Sequence, residues 1–271
     1  MLIINKSNYK KLIKGASLFT TGGGLSFDEQ IKCMKKLKNF NIPLKPVSAF
    51  PKNSFLCTAA EVGPSDAPPI AKEKIVSKMF DLLIKVSGKK ISGIYPPEIG
   101  QESIVLEAAH FLKLPVTDFD PAGFRAAPYI DINIFNLKKI KSSLLPLVAC
   151  SDQGDIVVID SKANYERAEE ILRKLTVLSK TKLIFILAGL VSVKDLLINH
   201  VANSSLSRAM EFGGIKDKNE LIKLLKPKLI IDGKVIARKD LEEEGFSARL
   251  VTIGAEKKNK FKLVIMNEVM F

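Results

Sequence analysis

The chain has 271 residues, of which 46% are hydrophobic and 26% are charged, a balance typical of a folded globular protein. It carries 42 Lys and Arg against 29 Asp and Glu, which gives a formal net charge of +13 at pH 7. Its apolar runs are shorter than the roughly 18 residues of a membrane-spanning helix, and the N-terminus lacks the charge-then-apolar order of a signal peptide. We therefore expect a soluble, cytoplasmic protein without a membrane partner.

The positive charge is distributed as lysine pairs among Leu and Ile residues at helical spacing. Such pairs are typical of the solvated face of a helix. The sequence has no RNA-binding aromatic motif, zinc finger or arginine-rich tract. The pattern therefore disfavours nucleic acid and leaves a small-molecule substrate as the expected partner.

The cysteines and histidines limit the chemistry further. Cys33, Cys57 and Cys150 are far apart and have no CxxC spacing, which argues against disulfides and a structural zinc site and favours buried thiols. Because His110 and His200 are the two histidines, an all-histidine metal site is disfavoured.

The first predicted elements are two helices separated by a glycine-rich stretch. Ser7 is placed to cap a short helix that stops at Gly15. The stretch Gly22–Gly24 precedes a second helix, where Ser26 and Glu29 have the spacing of a capping box. Bare glycine amides beside the positive end of a helix can accommodate a carboxylate, a phosphate or the polar edge of a ring.

Strands and helices then alternate from about residue 43 to residue 120. "PVSAF" and "SFLCTAAEVG" are predicted strands, and an amphipathic helix follows and ends at Gly88. A strand, a Pro-Pro turn, a further helix and a short strand, "PVTDFD", come next. This alternation predicts an α/β layer structure with a partly parallel sheet.

From Leu144 the pattern changes. A predicted hairpin around Asp152–Asp155 is followed by a helix, a strand, shorter helices and a β-rich tail. We place a boundary near residue 170, between an N-terminal α/β domain over residues 1–170, which holds the glycine-rich loop, and a C-terminal α+β domain over residues 171–271. The expected fold class is α/β.

Four loops with glycine or proline and polar residues fall where ligands bind in an open α/β sheet, outside the carboxyl ends of the strands. They are Gly22–Gly24, Ala59–Ser65, Tyr95–Ser103 and Thr117–Arg125. Carboxylates beside one arginine suit proton transfer and orientation of a polar heterocycle. The catalytic candidates are Glu98, Asp118, Asp120 and Arg125, and the substrate-binding candidates are Gly22, Gly23, Gly24, Glu61 and Ser103.

Other roles for these residues stay open at this point. Glu98, Asp118 and Asp120 are oxygen ligands that could hold a divalent metal. Asp118 and Asp120 are two residues apart in a predicted strand, so their side chains point the same way and are expected to share a site. Glu98 could instead cap the following helix, and Glu61 could be a surface acid.

The order of several motifs resembles that of one protein family. The matching segments are Phe19–Leu25, Pro97–Ser103, Asp118–Pro128, Ser205–Gly213, Gly233–Val235, Gly245–Phe246 and Asn267–Glu268. They are similar to a glycine-rich stretch, a P-x-E-I-G segment, a D-x-D segment with Gly and Arg, a helix with spaced Ser, Ala and Gly, and three short C-terminal motifs. The chain resembles the S-methyl thiohydantoin desulfurase family, formerly a domain of unknown function.

The resemblance implies two domains, the second a swivelling β-rich domain, and an association with hydantoinase and oxoprolinase-type enzymes. It implies hydrolytic removal of a sulfur substituent from a hydantoin-like ring, and it adds Thr21 and Ser207 to the substrate-binding candidates. The expected function is a hydrolase acting on a small cyclic amide or thiohydantoin-like ring, with water activated by a carboxylate or a metal.

The sequence also departs from the family pattern. Leu25 replaces the last glycine of the stretch, Phe124 separates Gly123 from Arg125, and the chain stops soon after Glu268, where members usually continue. These departures keep a second interpretation open, in which the chain is a catalytically silent binding or regulatory subunit of a hydantoinase-like assembly. A homo-oligomer is left open as well.

Overall fold

A computed structural model gives the fold of the protein. It describes residues 2–20, 24–63, 72–123, 145–160, 165–181, 183–200, 204–226, 228, 231–243, 246–254 and 260–266. Within these ranges the chain forms eight α-helices and eleven β-strands. None of the described helices is both long enough and apolar enough to cross a membrane.

Strands and helices are interleaved through the first part of the chain, and they alternate strictly between Phe55 and Thr117. They are β1 (Leu2–Asn5), α1 (Tyr9–Ser17), α2 (Phe27–Lys36), β2 (Asn41–Lys45), β3 (Phe55–Val62), α3 (Glu73–Ser87), β4 (Ile91–Tyr95), α4 (Glu102–Leu112) and β5 (Val116–Thr117). The later elements are β6 (Leu147–Ser151), β7 (Ile156–Ile159), α5 (Tyr165–Leu178), β8 (Ile184–Ser192), α6 (Val193–Ile198), α7 (Ser205–Gly214), α8 (Lys218–Leu225), β9 (Lys234–Glu243), β10 (Phe246–Gly254) and β11 (Lys260–Met266).

The larger sheet has eight strands in the order β1-β2-β5-β4-β3-β8-β6-β7. The four neighbours β2, β5, β4 and β3 are parallel, so their carboxyl ends lie at the same end of the sheet. The outer strands pair antiparallel, and β9, β10 and β11 form a separate antiparallel sheet. The expected α/β class with a β-rich C-terminal part is confirmed, while the boundary near residue 170 stays a prediction.

Side chains of the central strand β3 are buried in different clusters of the hydrophobic core. Cys57 belongs to a cluster that includes residues of α1, α2, α3, α4 and α7. Its neighbour Leu56 belongs to a cluster with residues of α6, and Ala60 belongs to one with residues of α5. Because side chains alternate between the faces of a strand, these memberships place helices on both faces of the sheet, as its parallel central strands require.

Local signals at two helix ends are confirmed. The Glu29 N–H donates to Ser26 Oγ at 3.2 Å, and the Ser26 hydroxyl donates to the Glu29 carboxylate at 2.5 Å, so the predicted pair caps α2. Gly88 has φ +64° and donates its N–H to Ile84 O at 2.9 Å, which ends α3 in the left-handed conformation that glycine favours.

The prediction that Gly15 stops the first helix is wrong, because Gly15 lies inside α1. The helix packs closely against α7. A Cβ atom on Gly15 would lie 1.7 Å from Ala209 O, and a Cβ atom on Gly213 would lie 1.7 Å from Lys11 O. The two glycines therefore allow the backbones of α1 and α7 to approach each other closely. From the sequence alone, a glycine in this role looks the same as one that ends a helix.

The predicted strand "PVSAF" is also wrong. The strand is β2, which precedes this stretch, and Val47–Ala49 forms one turn of 3₁₀ helix in which the Ala49 N–H donates to Pro46 O at 3.0 Å. The apolar side chains of Val47 and Phe50 are nevertheless buried. The turn therefore places these two side chains in the core without a strand.

The three cysteines agree with the expectation from composition. Cys33, Cys57 and Cys150 are free thiols, and all three are buried. Burial raises the pKa of the Cys57 thiol to about 12, which makes it inert at neutral pH.

Candidate functional site

The loop that follows β4 lies at the centre of the candidate site. It leads from the carboxyl end of β4 into the first turn of α4, between the ends of the parallel strands β3 and β5. Glu98 in this loop is 9% exposed and Ile99 is fully buried. Gly100 has φ +113°, a conformation that residues other than glycine rarely adopt. The loop is therefore packed into the protein.

The residue that ends the glycine stretch touches this loop. Gly24 has φ +68°, and a Cβ atom on it would lie 2.6 Å from Gly100 O. The next residue, Leu25, donates its N–H to the same oxygen at 3.0 Å. Gly24 thus lets the chain that enters α2 lie directly on the loop after β4. The other candidates in the stretch, Thr21, Gly22 and Gly23, lie outside the described residues.

Two glutamine side chains connect the elements around the loop. Gln30, buried on α2, donates to Leu25 O at 3.4 Å and accepts from the Ser103 N–H of α4 at 3.1 Å. Gln101 donates from its amide nitrogen to Glu98 Oε1 at 3.0 Å. Its amide oxygen accepts the Glu61 N–H at the end of β3, also at 3.0 Å. These bridges hold the starts of α2 and α4 and the end of β3 together.

Glu102 is the buried acid of the site. Its Oε1 accepts the Gly100 N–H at 2.9 Å, while its Oε2 has no hydrogen-bond partner among the described residues. Burial raises the pKa of this carboxyl to about 7, against the lowering effect of the backbone N–H groups, and the charges of Asp120 and Glu98 raise it further. A carboxyl that exchanges its proton near neutral pH is suited to general acid–base chemistry.

The two aspartates after β5 contact different parts of the protein. Asp118 Oδ1 accepts the N–H groups of Leu206 and Ser207 at 2.9 and 3.0 Å. It therefore caps the start of α7, an arrangement that stabilises a helix by on the order of 1 kcal/mol. Asp120 is fully buried, and its charge acts on Glu102. The expected shared site for the pair stays a prediction.

The metal alternative requires Glu98, Asp118 and Asp120 to converge. In the part of the chain that the structure describes, no group of three or more His, Cys, Asp or Glu side chains is arranged to hold a metal ion. Asp118 instead binds backbone N–H groups of α7. The described residues therefore do not fit a divalent metal.

The sequence of the chain matches the family model described as S-Me-THD-like, N-terminal domain, over residues 7–161. The chain belongs to the S-Me-THD-like family. This match confirms the resemblance to the thiohydantoin desulfurase family that the motifs indicated. No curated protein matches the chain.

A solved structure shares the fold of this S-Me-THD-like protein. It is the crystal structure of a protein from Chromobacterium violaceum, with a TM-score of 0.72 and 18% sequence identity. The similarity covers 100% of this chain and 79% of that one. At this identity the likeness shows the fold, including the part of the chain that follows residue 161.

The structure brings some of the sequence candidates together and separates others. Those whose backbone or side chain lies around the first turn of α4 are Gly24, Glu61, Glu98, Ser103 and Asp120. Ser207 lies with Asp118 at the start of α7, where its hydroxyl donates to Ser204 O at 3.1 Å. Arg125 lies outside the described residues.

Sequence reasoning missed Gln30, Gln101 and Glu102. An acid in the first turn of a helix is usually an exposed partner of the helix dipole, so Glu102 gave no sign of its burial. Its position directly after the Pro-Pro loop, between two segments already suspected of binding, was the available signal. The glutamines gave none, because their importance depends on which backbone groups they reach.

The same helix carries a second buried glutamate with different neighbours. Burial raises the pKa of Glu107 to about 7, the charge of Glu61 raises it further, and Lys36 opposes the rise. Glu107 Oε2 has no hydrogen-bond partner among the described residues. Glu107 also adds to the rise that burial causes in the pKa of Cys33, on α2. Glu107 therefore faces α2, apart from the charges that act on Glu102.

These two glutamates make stability depend on pH. Each has a pKa of about 7 when folded against an ordinary value of 4.5, so the unfolded chain releases these protons first as pH rises. We expect the free energy of unfolding to fall between about pH 4.5 and about pH 7, by on the order of 3 kcal/mol for each group, and then to level off. Urea denaturation of wild type and Glu107→Gln at about pH 5 and about pH 8 checks this. An equal fall in both proteins would contradict the contribution of Glu107.

Proposed function

We propose that this S-Me-THD-like protein is a hydrolase that acts on a small cyclic amide or thiohydantoin-like ring, with Glu102 as its proton-transferring residue. The observation that carries the proposal is the fully buried Glu102 carboxyl, whose pKa is raised to about 7 by burial and further by the charges of Asp120 and Glu98. Carboxyls whose pKa is raised towards neutral pH, with other carboxylates nearby, are typical of sites that carry out acid–base catalysis. The family membership supports a ring of the thiohydantoin type.

The carboxyl side chains of the site can accept and donate every proton that such a reaction transfers. Water adds to the ring carbon that carries the sulfur substituent, and Glu98 or Asp120, as a carboxylate, accepts a proton from that water. Glu102 gives its proton to the ring nitrogen as the new C–O bond forms. The carbonyl then forms as the C–S bond breaks: Glu102 regains a proton from the added hydroxyl, and the first carboxyl returns its proton to the departing sulfur. One water is consumed, one thiol is released, and no oxidant or reductant is needed.

The packing around the loop supports precise placement of these carboxyls. Gln101 binds Glu98, and Gln30 binds the N–H of Ser103 in the first turn of α4. Gly24 lies against Gly100, beside the N–H that binds Glu102. Reacting groups held by several hydrogen bonds lose less freedom when the substrate binds, which is a general source of rate enhancement.

The alternative function is a catalytically silent binding or regulatory subunit of a hydantoinase-like assembly. Exposed apolar residues favour it: Val177 is 79% exposed and Leu178 is 72% exposed, side by side at the end of α5. Larger contiguous apolar patches mark the sites where proteins contact partners, and these two side chains would lie within such a patch if α5 were a subunit contact.

Thiol release from an S-methyl thiohydantoin tests the proposal directly. The purified protein is incubated with the compound, the released thiol is measured with a chromogenic reagent, and the ring product is identified by mass. The cysteines add little background because all three are buried. We expect many turnovers per protein molecule. Binding of hydantoin without turnover would favour the silent subunit, and neither binding nor turnover would contradict both functions.

A further inference from the structure

We infer that Gln101 is a positioning residue that keeps Glu98 in its charged form while Glu102 keeps the proton. The assignment of base to Glu98 and acid to Glu102 rests on the proposed function. The hydrogen bonds of Gln101, Glu98 and Glu102 from which the inference is argued do not depend on it.

The orientation of the Gln101 amide follows from the backbone of β3. The Glu61 N–H must donate to an acceptor, and it donates to the Gln101 amide oxygen at 3.0 Å. The amide nitrogen therefore points away from β3, and it lies 3.0 Å from Glu98 Oε1. An NH₂ group can only donate, so this oxygen of Glu98 must accept. A donated hydrogen bond favours the ionised form of a carboxyl.

Glu102, four residues further along the chain, has a different environment. It is fully buried, and its Oε1 accepts the Gly100 N–H. No described residue donates to its Oε2. A buried charge with an unsatisfied oxygen costs far more free energy than the neutral acid in the same place. The two carboxyls are therefore held in different protonation states, as a general base and a general acid must be.

The test is the titration of Glu98 and Glu102, followed by carboxyl ¹³C NMR with resonances assigned through Glu98→Gln and Glu102→Gln. Gln101→Met keeps the length of the side chain and removes both hydrogen bonds. We expect the Glu98 titration to move upward by on the order of one pH unit. The Glu102 titration should move downward, because the Glu98 charge that raises its pKa is weakened.

Gln30→Met is the matched control. It removes an equivalent bridge between α2 and α4 that does not contact Glu98. We expect both titrations to stay where they are in wild type. An unchanged Glu98 titration in Gln101→Met, or an equal shift in Gln30→Met, would overturn the role of Gln101.

A second variant covers the case in which Gln101→Met does not fold. Gln101→Glu preserves the size of the side chain but places an acceptor where the donor was, so Glu98 should then bind a proton at still higher pH. An unchanged titration in this variant also overturns the inference. Because no substrate enters these measurements, failure of thiol release in wild type would remove the proposed function without affecting them.

Discussion

Glu102→Gln is expected to lower kcat/KM for thiol release by roughly 10²–10⁴-fold, the usual contribution of a general acid or base. Glutamine keeps the size of the side chain and can still accept the Gly100 N–H that binds Glu102. It cannot donate and regain a proton at the ring nitrogen. The measurement is the initial rate at about pH 7, where Glu102 exchanges its proton.

Glu107→Gln provides the control for this loss. Glu107 lies on the same helix, is also buried, and has a pKa that burial raises to the same value of about 7. The charges around it belong to Lys36 and Glu61, whereas those around Glu102 belong to Asp120 and Glu98. We expect thiol release to remain close to the wild-type rate. Equal losses in the two variants would mean that disturbance of α4, and not proton transfer by Glu102, lowers the rate.

The second large effect concerns the contact between α1 and α7. Gly15→Ala is expected to lower the free energy of unfolding by roughly 3 kcal/mol or more, as overpacking against rigid backbone does. The new Cβ atom would lie 1.7 Å from Ala209 O and 2.8 Å from Gly213 N, so the helices must separate. This cost exceeds the gain of about 1 kcal/mol that alanine brings inside a helix. Urea denaturation monitored by circular dichroism measures it.

Gly214→Ala tests whether close packing is the reason. Gly214 lies in α7 next to Gly213, but a Cβ atom on it would have no atom within 4 Å. We expect this variant to be as stable as wild type or slightly more so. If Gly15→Ala were equally stable, the close contact between α1 and α7 would be wrong.

We expect separation of α1 and α7 to change the position of residues in the candidate site as well. The start of α7 is held by Asp118 through the N–H groups of Leu206 and Ser207. Asp118 in turn lies two residues from Asp120, whose charge acts on Glu102. A shift of α7 is therefore expected to displace the segment after β5, which carries the Asp120 carboxylate.

Much of the fold could be predicted from the sequence because its signals are local. The capping box of Ser26 and Glu29 and the stop at Gly88 depend on residues within a few positions of each other. The strands β3 and β4 and the helices α3 and α4 have apolar patterns long enough to identify them. The order of the motifs was sufficient to indicate the family.

The two wrong predictions have different physical causes. Gly15 looks like a helix stop until α7, almost two hundred residues away in sequence, is packed against it. Val47 and Phe50 of "PVSAF" are buried, but a turn of 3₁₀ helix buries them instead of a strand. For Gly15 the deciding contact is distant in sequence, whereas for "PVSAF" a local hydrogen bond from the Ala49 N–H to Pro46 O forms the turn.

The sequence by itself determined the family, the alternation of elements and the loops in which polar residues follow the parallel strands. Only the tertiary structure decided which carboxyl is suited to proton transfer. Asp118 and Glu102 both lie in segments that follow parallel strands, but Asp118 binds N–H groups at the start of α7, whereas Glu102 is fully buried and binds the Gly100 N–H. Burial and hydrogen bonding set the protonation of a carboxyl, and both depend on neighbours that a linear sequence does not place.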